Sequence, residues 1–503
     1  MPHPDNLPLL DAFPASAQIV NVRSGENIGR DQLKNRVLIA AATMDKQAGQ
    51  HSGPVVVAEP DALDMLIQLF AAWAVGRVAV LVNPGLSGQE QLNVIAHTGA
   101  VAWYGPLRCD FAKPDNAVAA KRPALTSDEP ALILMTSGTT GIPKGIVHSL
   151  RSLSARLALN VAHMGREPLA RSLCVLPTFF GHGLIGNCLT PLAAGGTLHL
   201  WCSPQMGELA SLAGIMDRYH ITFMSSVPSF WKMAARISPS PAEPPLRLHV
   251  GSAPLSIEHW RAISAWAGTD HVYNMFGMTE TANWIGGGSL RDSQGRDGYV
   301  GEIWGGQFAV RNEQGVIADR GKGEILVQSP SMMMAYLNAP DVMAESFAES
   351  WFRTGDIGEI DAAGSLTLVG RTKSEINRAG IKIQAEEIDM LLERHPDITQ
   401  ACAFAIEDAA SGQAVAAAVV LQTQASVTGQ DIRHWCRDRV RAEAVPSVIY
   451  ILDAIPLNDR GKIVRDQVRA AALQSVFCSN LLEKSGLCNS LKRCRKMQRF
   501  CGN

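Results

Sequence analysis

A run of residues from Thr136 to Gly145 combines the residue types that bind phosphate. It reads Thr-Ser-Gly-Thr-Thr-Gly-Ile-Pro-Lys-Gly and follows the apolar stretch 131–135, which is predicted to be a buried strand. Glycine lets the backbone turn sharply and approach a bound group closely, and successive N–H groups and hydroxyls form an anion-binding nest. Lys144 adds a mobile positive charge. The run therefore predicts a phosphate-binding loop and a protein that uses a nucleotide.

This loop differs from the P-loop of kinases and GTPases. The P-loop pattern needs Gly, four residues and then Gly-Lys-Ser/Thr, whereas here Lys144 lies between Pro143 and Gly145. A surface loop rich in glycine, serine and threonine that binds no ligand is the alternative interpretation. The density of threonine and the direct continuation from a strand favour the phosphate-binding interpretation.

Three downstream segments carry further candidate residues. The segment 274–280, Asn-Met-Phe-Gly-Met-Thr-Glu, ends in Glu280, whose carboxylate is a suitable hard ligand for magnesium. The segment 351–356, Trp-Phe-Arg-Thr-Gly-Asp, ends in a carboxylate that could accept two hydrogen bonds from a cis-diol. The segment 456–465 contains Lys462. Taken alone, a Thr-Glu pair is more typical of a helix start and a Gly-Asp pair of a turn.

In this order, the four motifs resemble those of the adenylate-forming (AMP-binding) superfamily, which includes acyl-CoA synthetases, aryl-CoA ligases, luciferases and peptide-synthetase adenylation domains. The loop at 136–145 matches that superfamily's phosphate loop almost residue for residue, and the resemblance covers about residues 20–470. Shorter matches are Val82-Asn83-Pro84, Gly251-Ser252-Ala253-Pro254-Leu255 and Gly323-Glu324-Ile325.

The resemblance implies an enzyme that catalyses a reaction in two steps. A carboxylate attacks the α-phosphorus of ATP and gives an acyl-adenylate and pyrophosphate; a thiol then attacks the activated carbonyl and expels AMP. The thiol is expected to be that of coenzyme A, and the alternative acceptor is the phosphopantetheine of an acyl carrier protein in a biosynthetic pathway. A non-catalytic nucleotide-binding regulator is the alternative from another functional class.

The resemblance also implies residue roles. Thr279 would contact the phosphate or the adenylate, Glu280 would hold Mg²⁺, and Lys462 would stabilise charge in the adenylation transition state. Lys373 stands at the hinge about which the small domain would swing between the half-reactions, and Gly380 would then line a tunnel for the thiol arm. The residues expected to bind ATP are Thr136, Ser137, Gly138, Thr139, Thr140, Gly141, Lys144, Phe276 (adenine), Asp356 and Arg371 (ribose).

An acyl pocket is implied around the segment 176–184, which contains no acidic residue and so argues against an α-amino acid as substrate. Met275 stands where many aryl-CoA ligases have glycine, which predicts a shallow pocket for a compact aromatic or short-to-medium acyl acid. His182 is equally compatible with a core histidine. The residues expected at the pocket are Phe180, His182, Ser252, Ala253, Asn274, Met275 and Trp284.

The length of 503 residues is too great for one core, and alternating helical and strand-like stretches predict an α/β fold. We expect a large N-terminal domain over 1–370, made of layered α/β subdomains and a β-rich subdomain from about 298. A small, mobile α+β domain is expected over 371–470. The remaining 471–503 is basic and contains cysteines, and it is predicted to be a poorly ordered extension, with a partner-binding tail as the alternative.

The composition indicates the kind of partners. The net charge of −2, with acidic and basic residues mixed, does not point to nucleic acid or an anionic membrane. No apolar run reaches transmembrane length, and the N-terminus has neither a cationic start nor an apolar signal core. We therefore expect a cytoplasmic protein. The resemblance implies a small carboxylic acid as its substrate, and a monomer or homodimer is expected.

Overall fold

The computed structural model describes residues 7–49, 51, 53–111, 125–136, 144–408, 411–458 and 462–484. The chain divides into two compact units, Met1–Leu368 and Val369–Asn503. This division lies close to the domain boundary predicted at residue 370, and each unit is described by itself below.

The strands of the first unit are β1 (Gln18–Asn21), β2 (Asn27–Gly29), β3 (Val55–Val57), β4 (Ala79–Leu81), β5 (Ala102–Tyr104), β6 (Pro130–Thr136), β7 (Lys144–Ser149), β8 (Arg171–Cys174), β9 (Thr197–Leu200), β10 (Phe223–Ser226), β11 (Arg247–Gly251), β12 (Val272–Met278), β13 (Asn283–Ser289), β14 (Tyr299–Ile303), β15 (Gln307–Arg311), β16 (Ile317–Ala318), β17 (Gly321–Gln328), β18 (Ala335–Tyr336), β19 (Phe347–Ala348), β20 (Trp351–Ile360) and β21 (Leu366–Arg371), which leads into the second unit. Its α-helices are α1 (Arg30–Ala48), α2 (Ala62–Ala74), α3 (Gly88–Thr98), α4 (Leu150–Met164), α5 (Thr190–Ala194), α6 (Leu212–Arg218), α7 (Pro228–Ile237), α8 (Ile257–Ala267) and α9 (Pro340–Glu345).

These strands form two sheets among the described residues. One has the order β18-β7-β6-β4-β3-β5, in which β3, β4, β5 and β6 pair in parallel. The other runs β16-β15-β17-β20-β21-β14-β13-β12-β11-β10-β8-β9-β1-β2, with β19 beside β20. Its strands β8 to β12 pair in parallel, whereas the part built from 299–371 is antiparallel. The predicted α/β fold with a β-rich part is therefore confirmed.

Helix α2 shows how the sequence directs this packing. The Asp61 carboxylate caps the helix by accepting from the amides of Leu63 and Asp64, which satisfies N–H groups that have no intrahelical partner. Nearly every side chain of α2 is buried, and the helix packs with α1 and strands β3 and β4 in one apolar cluster. Directly before α6 the chain forms a 3₁₀ turn at Met206–Ser211.

The second unit contains β22 (Glu375–Arg378), β23 (Ile381–Gln384), β24 (Ile398–Asp408), β25 (Gly412–Leu421), β26 (Val448–Ile451), α10 (Ala385–Glu393), α11 (Gly429–Arg437) and α12 (Arg465–Lys484). Its sheet has the order β23-β22-β25-β24, with β26 parallel to β25.

Helix α12 departs from the predicted tail. The helix runs without interruption past residue 471, and its Val468 and Ala472 side chains are fully buried in a cluster with Phe404 and Ile455. Apolar residues spaced by one helical turn thus anchor the stretch against the sheet. The helix thus continues as far as Lys484 into the segment for which a poorly ordered extension was predicted, and residues 485–503 lie outside the described part.

Candidate functional site

The phosphate-loop motif joins two neighbouring antiparallel strands. β6 ends at Thr136 and β7 begins at Lys144, and these two residues are paired across the ladder. The strand residues towards the two ends of the motif, Thr136 and Lys144, therefore lie opposite each other in the sheet. The predicted phosphate ligands Ser137, Gly138, Thr139, Thr140 and Gly141 lie outside the described residues.

Tyr336 brings Lys144 and Glu280 together, although the two are far apart in sequence. The Lys144 Nζ atom lies 5.2 Å from the centroid of the Tyr336 ring, and the Tyr336 hydroxyl donates to Glu280 Oε1 at 2.9 Å. Pairing of Tyr336 with Ile146 across β18 and β7 fixes the ring beside the loop. Burial and the Glu280 charge raise the pKa of Tyr336 well above its usual range, so the phenol keeps its proton and remains a donor.

His148 fixes the turn that carries Thr279 and Glu280. This turn is the 3₁₀ helix Thr279–Thr281, and His148 on β7 lies 2.8 Å through Nε2 from the carbonyl oxygen of Thr279. Burial lowers the pKa of His148 to about 4, so the ring is neutral at pH 7. Because a carbonyl only accepts, Nε2 carries the proton, and Nδ1 lies 3.3 Å from the hydroxyl oxygen of Ser152.

We expect His148→Gln to flatten the pH dependence of stability between about pH 6.5 and pH 4. The folded-state pKa lies below that of the unfolded chain, so the unfolded chain binds protons first and stability falls as the pH drops through this range. The difference between the two pKa values corresponds to a loss of about 3 kcal/mol in the free energy of unfolding over this pH range. Chemical denaturation of both proteins across this pH range measures it, and curves of equal slope would contradict the assignment.

Phe276, the residue predicted to contact the adenine, lies on strand β12 and is packed in the core. Phe276 is buried, with its ring centroid 6.0 Å from that of Phe308, and the Asn274 amide donates to the carbonyl of Tyr299 at 2.9 Å. The ladder with β13 shifts register at Phe276 and Gly277, and a side chain at 277 would overlap the carbonyl of Asn283. The bulge bends the strand end that leads to Thr279.

Asp356 lies on β20, in the same apolar neighbourhood. It is 9% exposed, and its amide donates to the Thr354 hydroxyl at 3.0 Å, which in turn donates to the carbonyl of Ile325. One apolar cluster contains Ile146, Phe276, Tyr336 and Phe352, which belong to β7, β12, β18 and β20. Through this cluster, the strands that carry the phosphate-loop motif, the segment 274–280 and the segment 351–356 pack against each other.

The predicted acyl-pocket residues centre on His182. Its ring nitrogens lie 3.0 Å from the Ser252 hydroxyl and 2.7 Å from the Ser225 hydroxyl, and its ring meets Trp284 edge to face at 5.6 Å. His182 begins a π-helix, His182–Leu189, a rare form found often at functional sites. Ser252, next to Ala253, holds a left-handed backbone at φ 71°, and the Phe180 ring packs on Phe179 at 4.3 Å.

Met275 and Trp284 fill the space behind this histidine. Both are buried, and added Cβ atoms would lie 2.8 Å from Trp284 at Gly186 and 2.6 Å from the Met275 sulfur at Gly287. The two glycines thus make room for the two large side chains. The shallow pocket expected from Met275 stays a prediction.

A buried basic cluster lies beyond Trp284. The His249 ring is 4.7 Å from Trp284, Arg247 Nε donates to His249 Nε2 at 2.7 Å, and the guanidinium lies 3.8 Å from the Tyr273 ring centroid. Within the described chain, Arg247 forms no ion pair with a carboxylate, and its Nη2 and the His249 Nδ1 are buried without a hydrogen-bond partner. Burial lowers the pKa of both side chains.

The remaining predicted residues belong to the second unit. Arg371 ends β21, and Lys373 lies in the following 3₁₀ turn, Thr372–Ser374, where both are exposed. Gly380 occupies the turn between β22 and β23 with φ 88°, and an added Cβ there would meet no atom within 4 Å. The Lys462 amide donates to the Asn458 side chain at 3.0 Å.

Glu280 is suited to magnesium because Mg²⁺ in nucleotide sites is held by one or two carboxylates together with phosphates and water. The bond from Tyr336 fixes the orientation of this carboxylate. Among the described residues, those around Glu280 included, no group of three or more His, Cys, Asp or Glu side chains is arranged to hold a metal. Likewise, no described helix has the length and apolar character needed to cross a bilayer.

Two residues that support the site were missed by the sequence analysis. Tyr336 and His148 stand in segments without a glycine-rich or charged signature, and only the pairing of β18 with β7 brings Tyr336 to Lys144. For His148, the strand position directly after the loop motif was the available signal.

Comparison with known proteins identifies similar sequences. The family model for the AMP-binding enzyme matches residues 11–337, and that for the AMP-binding enzyme C-terminal domain matches 387–462. The chain is 33% identical to the oxalate–CoA ligase of Arabidopsis thaliana and to the sulfoacetate–CoA ligase of Cupriavidus necator, over 67% of its own length and 66% of theirs. It is 28% identical to a long-chain-fatty-acid–CoA ligase of Mycobacterium tuberculosis, over 82% of this chain and 87% of that protein.

Solved structures share the fold. The o-succinylbenzoate CoA synthetase of Bacillus subtilis, in complex with its acyl-adenylate, superposes with a TM-score of 0.81 at 22% identity, covering 93% of this chain and 98% of that one. The ATP-bound MatB of Rhodopseudomonas palustris gives 0.79 at 22% identity, covering 93% and 99%.

Proposed function

Because this chain belongs to the AMP-binding enzyme family, we propose that it activates a carboxylic acid with ATP and transfers the acyl group to the thiol of coenzyme A. The observation that carries this proposal is that one tyrosine contacts both Lys144, the residue with which β7 begins, and Glu280. The curated relatives named above are CoA ligases, which supports the choice of acceptor. The alignments span about two thirds of the length of the first two.

The first step brings two anions together, so its barrier depends on positive charge. Lys144 would neutralise the phosphates from the loop exit, and Lys462 would contact the oxygen that develops charge in the transition state. Glu280 would hold Mg²⁺, which when bound offsets charge on the phosphates. Asp356 and Arg371 would bind the ribose, and Phe276 would lie beside the adenine.

In the second step the thiol attacks the acyl carbonyl, and AMP leaves. Lys373 would act as the hinge, and Gly380 would line the path of the pantetheine arm, since open space surrounds its α-carbon. An acyl carrier protein would deliver the same arm. Thioester formation with coenzyme A, compared with a phosphopantetheinylated carrier protein, decides between the two acceptors.

For the acid itself, we propose a short substrate with a second anionic group. The oxalate, sulfoacetate and malonate CoA ligases among the relatives are named for such acids. In this chain, the buried Met275 and Trp284 would form the pocket floor, and Arg247 lies beyond Trp284 as a buried positive charge with no paired carboxylate in the described chain. A buried, uncompensated cation favours a nearby anion because the low dielectric screens it weakly.

Pyrophosphate release with a panel of acids tests the proposal. We expect release with oxalate, malonate or sulfoacetate, and much weaker release with propionate, benzoate and palmitate, each with and without coenzyme A. A preference for the neutral acids would contradict the substrate class alone. No release with any acid would contradict the activity and favour a nucleotide-binding regulator.

Met275→Ala is expected to widen acid specificity. Truncation of this buried side chain opens space above Gly287 and should raise kcat/KM for benzoate relative to malonate by about tenfold, within the range that a few methylenes contribute in an apolar pocket. Met216→Ala is the control, because it truncates a buried methionine in the core cluster around α6 and α8. An unchanged ratio in Met275→Ala, or an equal change in the control, would contradict the pocket-floor role.

A further inference from the structure

Arg465 forms the centre of an ion-pair cluster in the second unit. Its guanidinium lies 2.9 Å from a carboxylate oxygen of Asp389 and 3.0 Å from Glu386 Oε1, and it also donates to the carbonyl of Ala403. Both acids lie on α10, and Arg465 is the first residue of α12. The cluster therefore clamps the start of one helix to another helix and to strand β24.

On one side, the cluster is continuous with the segment that carries Lys462. Arg465 follows Lys462 by three residues. Leu457 pairs with Ile463 in an antiparallel bridge, and the Asn458 backbone amide donates to the carbonyl of Lys462 at 2.8 Å. Lys462 is thus close in sequence to the anchored Arg465, and backbone hydrogen bonds hold Lys462 and the residues beside it. The position of the Lys462 backbone therefore depends on that of Arg465.

On the other side, the cluster reaches the turn that contains Lys373. The Ser374 hydroxyl lies 2.6 Å from Glu386 Oε1 and 3.3 Å from the carbonyl of Arg371. The shorter, charge-assisted bond to the carboxylate is the stronger one. One oxygen of Glu386 therefore accepts from both Ser374 and Arg465.

The second carboxylate oxygen of Glu386 does not stabilise the fold through a hydrogen bond. Glu386 Oε2 is buried and has no hydrogen-bond partner, and leaving such an atom unsatisfied costs stability. An apolar side chain at this place would avoid that cost but would lose the link between Ser374 and Arg465. The geometry of this residue is therefore better explained by the connection it makes than by its contribution to folding.

We propose that Ser374, Glu386 and Arg465 form a brace that holds the Lys373 turn and the Lys462 segment in one fixed geometry. When the backbone rotates at Lys373, the Lys462 segment would then move together with the Lys373 turn. Without the brace, the small unit could deform instead, and Lys462 would not follow the rotation. The three are positioning residues, and the proposal rests on the roles given above to Lys373 and Lys462.

Half-reaction kinetics test the brace. Arg465→Met should slow pyrophosphate release at least tenfold, while thioester formation from supplied acyl-adenylate changes less than threefold, and Arg465→Lys should restore part of the loss. Arg433→Met is the matched control, since Arg433 Nε donates to the carbonyl of Pro446 elsewhere in the same unit. Equal loss in both half-reactions, or the same loss in the control, would overturn the proposal.

Hydrogen–deuterium exchange gives a readout that does not depend on activity. Glu386→Ala should raise exchange severalfold in peptides covering both 371–375 and 457–464, although it lies in neither, and Ser374→Ala should raise it mainly in 371–375. A rise confined to α10, or spread evenly over the unit, would overturn the brace. If the wild-type protein releases no pyrophosphate with any acid, the proposed function fails, and the exchange pattern still decides whether the brace exists.

Discussion

Replacing Lys462 by alanine is expected to abolish acyl-adenylate formation and to leave thioester formation from added acyl-adenylate largely intact. The side chain supplies positive charge where two anions meet in the first step, and loss of one such preorganised partner costs about 3 kcal/mol, or about 10²-fold in rate. The second step has no comparable meeting of anions, because the attacking thiol reacts at a carbonyl. Single-turnover measurement of pyrophosphate release and of thioester formation separates the two effects.

Lys322→Ala is the control for that experiment. Lys322 is exposed and pairs with Glu359 at 3.3 Å on the surface of the first unit, so its loss should change neither half-reaction. If Lys462→Ala slows both half-reactions equally, its assignment to adenylation alone is wrong, and the alternation of the small domain loses its main support.

Replacing Glu280 by glutamine should lower the rate of adenylation by about 10²-fold and shift its magnesium dependence to higher concentration. Glutamine keeps the shape of the side chain and can still accept from the Tyr336 hydroxyl, so the change removes little except the negative charge that the metal requires. Titration of pyrophosphate release with Mg²⁺ measures both effects.

Tyr336→Phe and Glu359→Gln are informative companions to this variant. The first keeps the ring beneath Lys144 and removes only the bond that orients Glu280, so we expect a smaller loss of about tenfold. The second removes a surface carboxylate and should behave as wild type. An unchanged magnesium dependence in Glu280→Gln would remove Glu280 from the metal site.

The sequence predicted best what is local. A strand followed by a loop of glycines and hydroxyl residues has few other physical explanations, so β6 and the start of the loop were predicted from residue types alone. The parallel layer followed from alternating apolar segments. The helical continuation past 471 was missed because the basic residues nearer the C-terminus outweighed the helical spacing of Val468 and Ala472.

What the sequence did not predict depends on tertiary pairing. Tyr336 sits in a two-residue strand without a motif, and its function as a support becomes visible only when β18 lies beside β7. The same holds for Arg465 and Glu386, which are ordinary charged residues at the beginnings of two helices until packing places them 3.0 Å apart. Side chains that act through another residue leave no spacing signature of their own.

In the proposed adenylation step, a carboxylate oxygen of the acid becomes bonded to the α-phosphorus of ATP. Substrate labelled with ¹⁸O in its carboxylate tests this most directly, with the products analysed by mass spectrometry after one turnover with coenzyme A. If the acid is activated as an acyl-adenylate, we expect AMP that carries one ¹⁸O and pyrophosphate without label. Formation of ADP, or AMP without label, would contradict it.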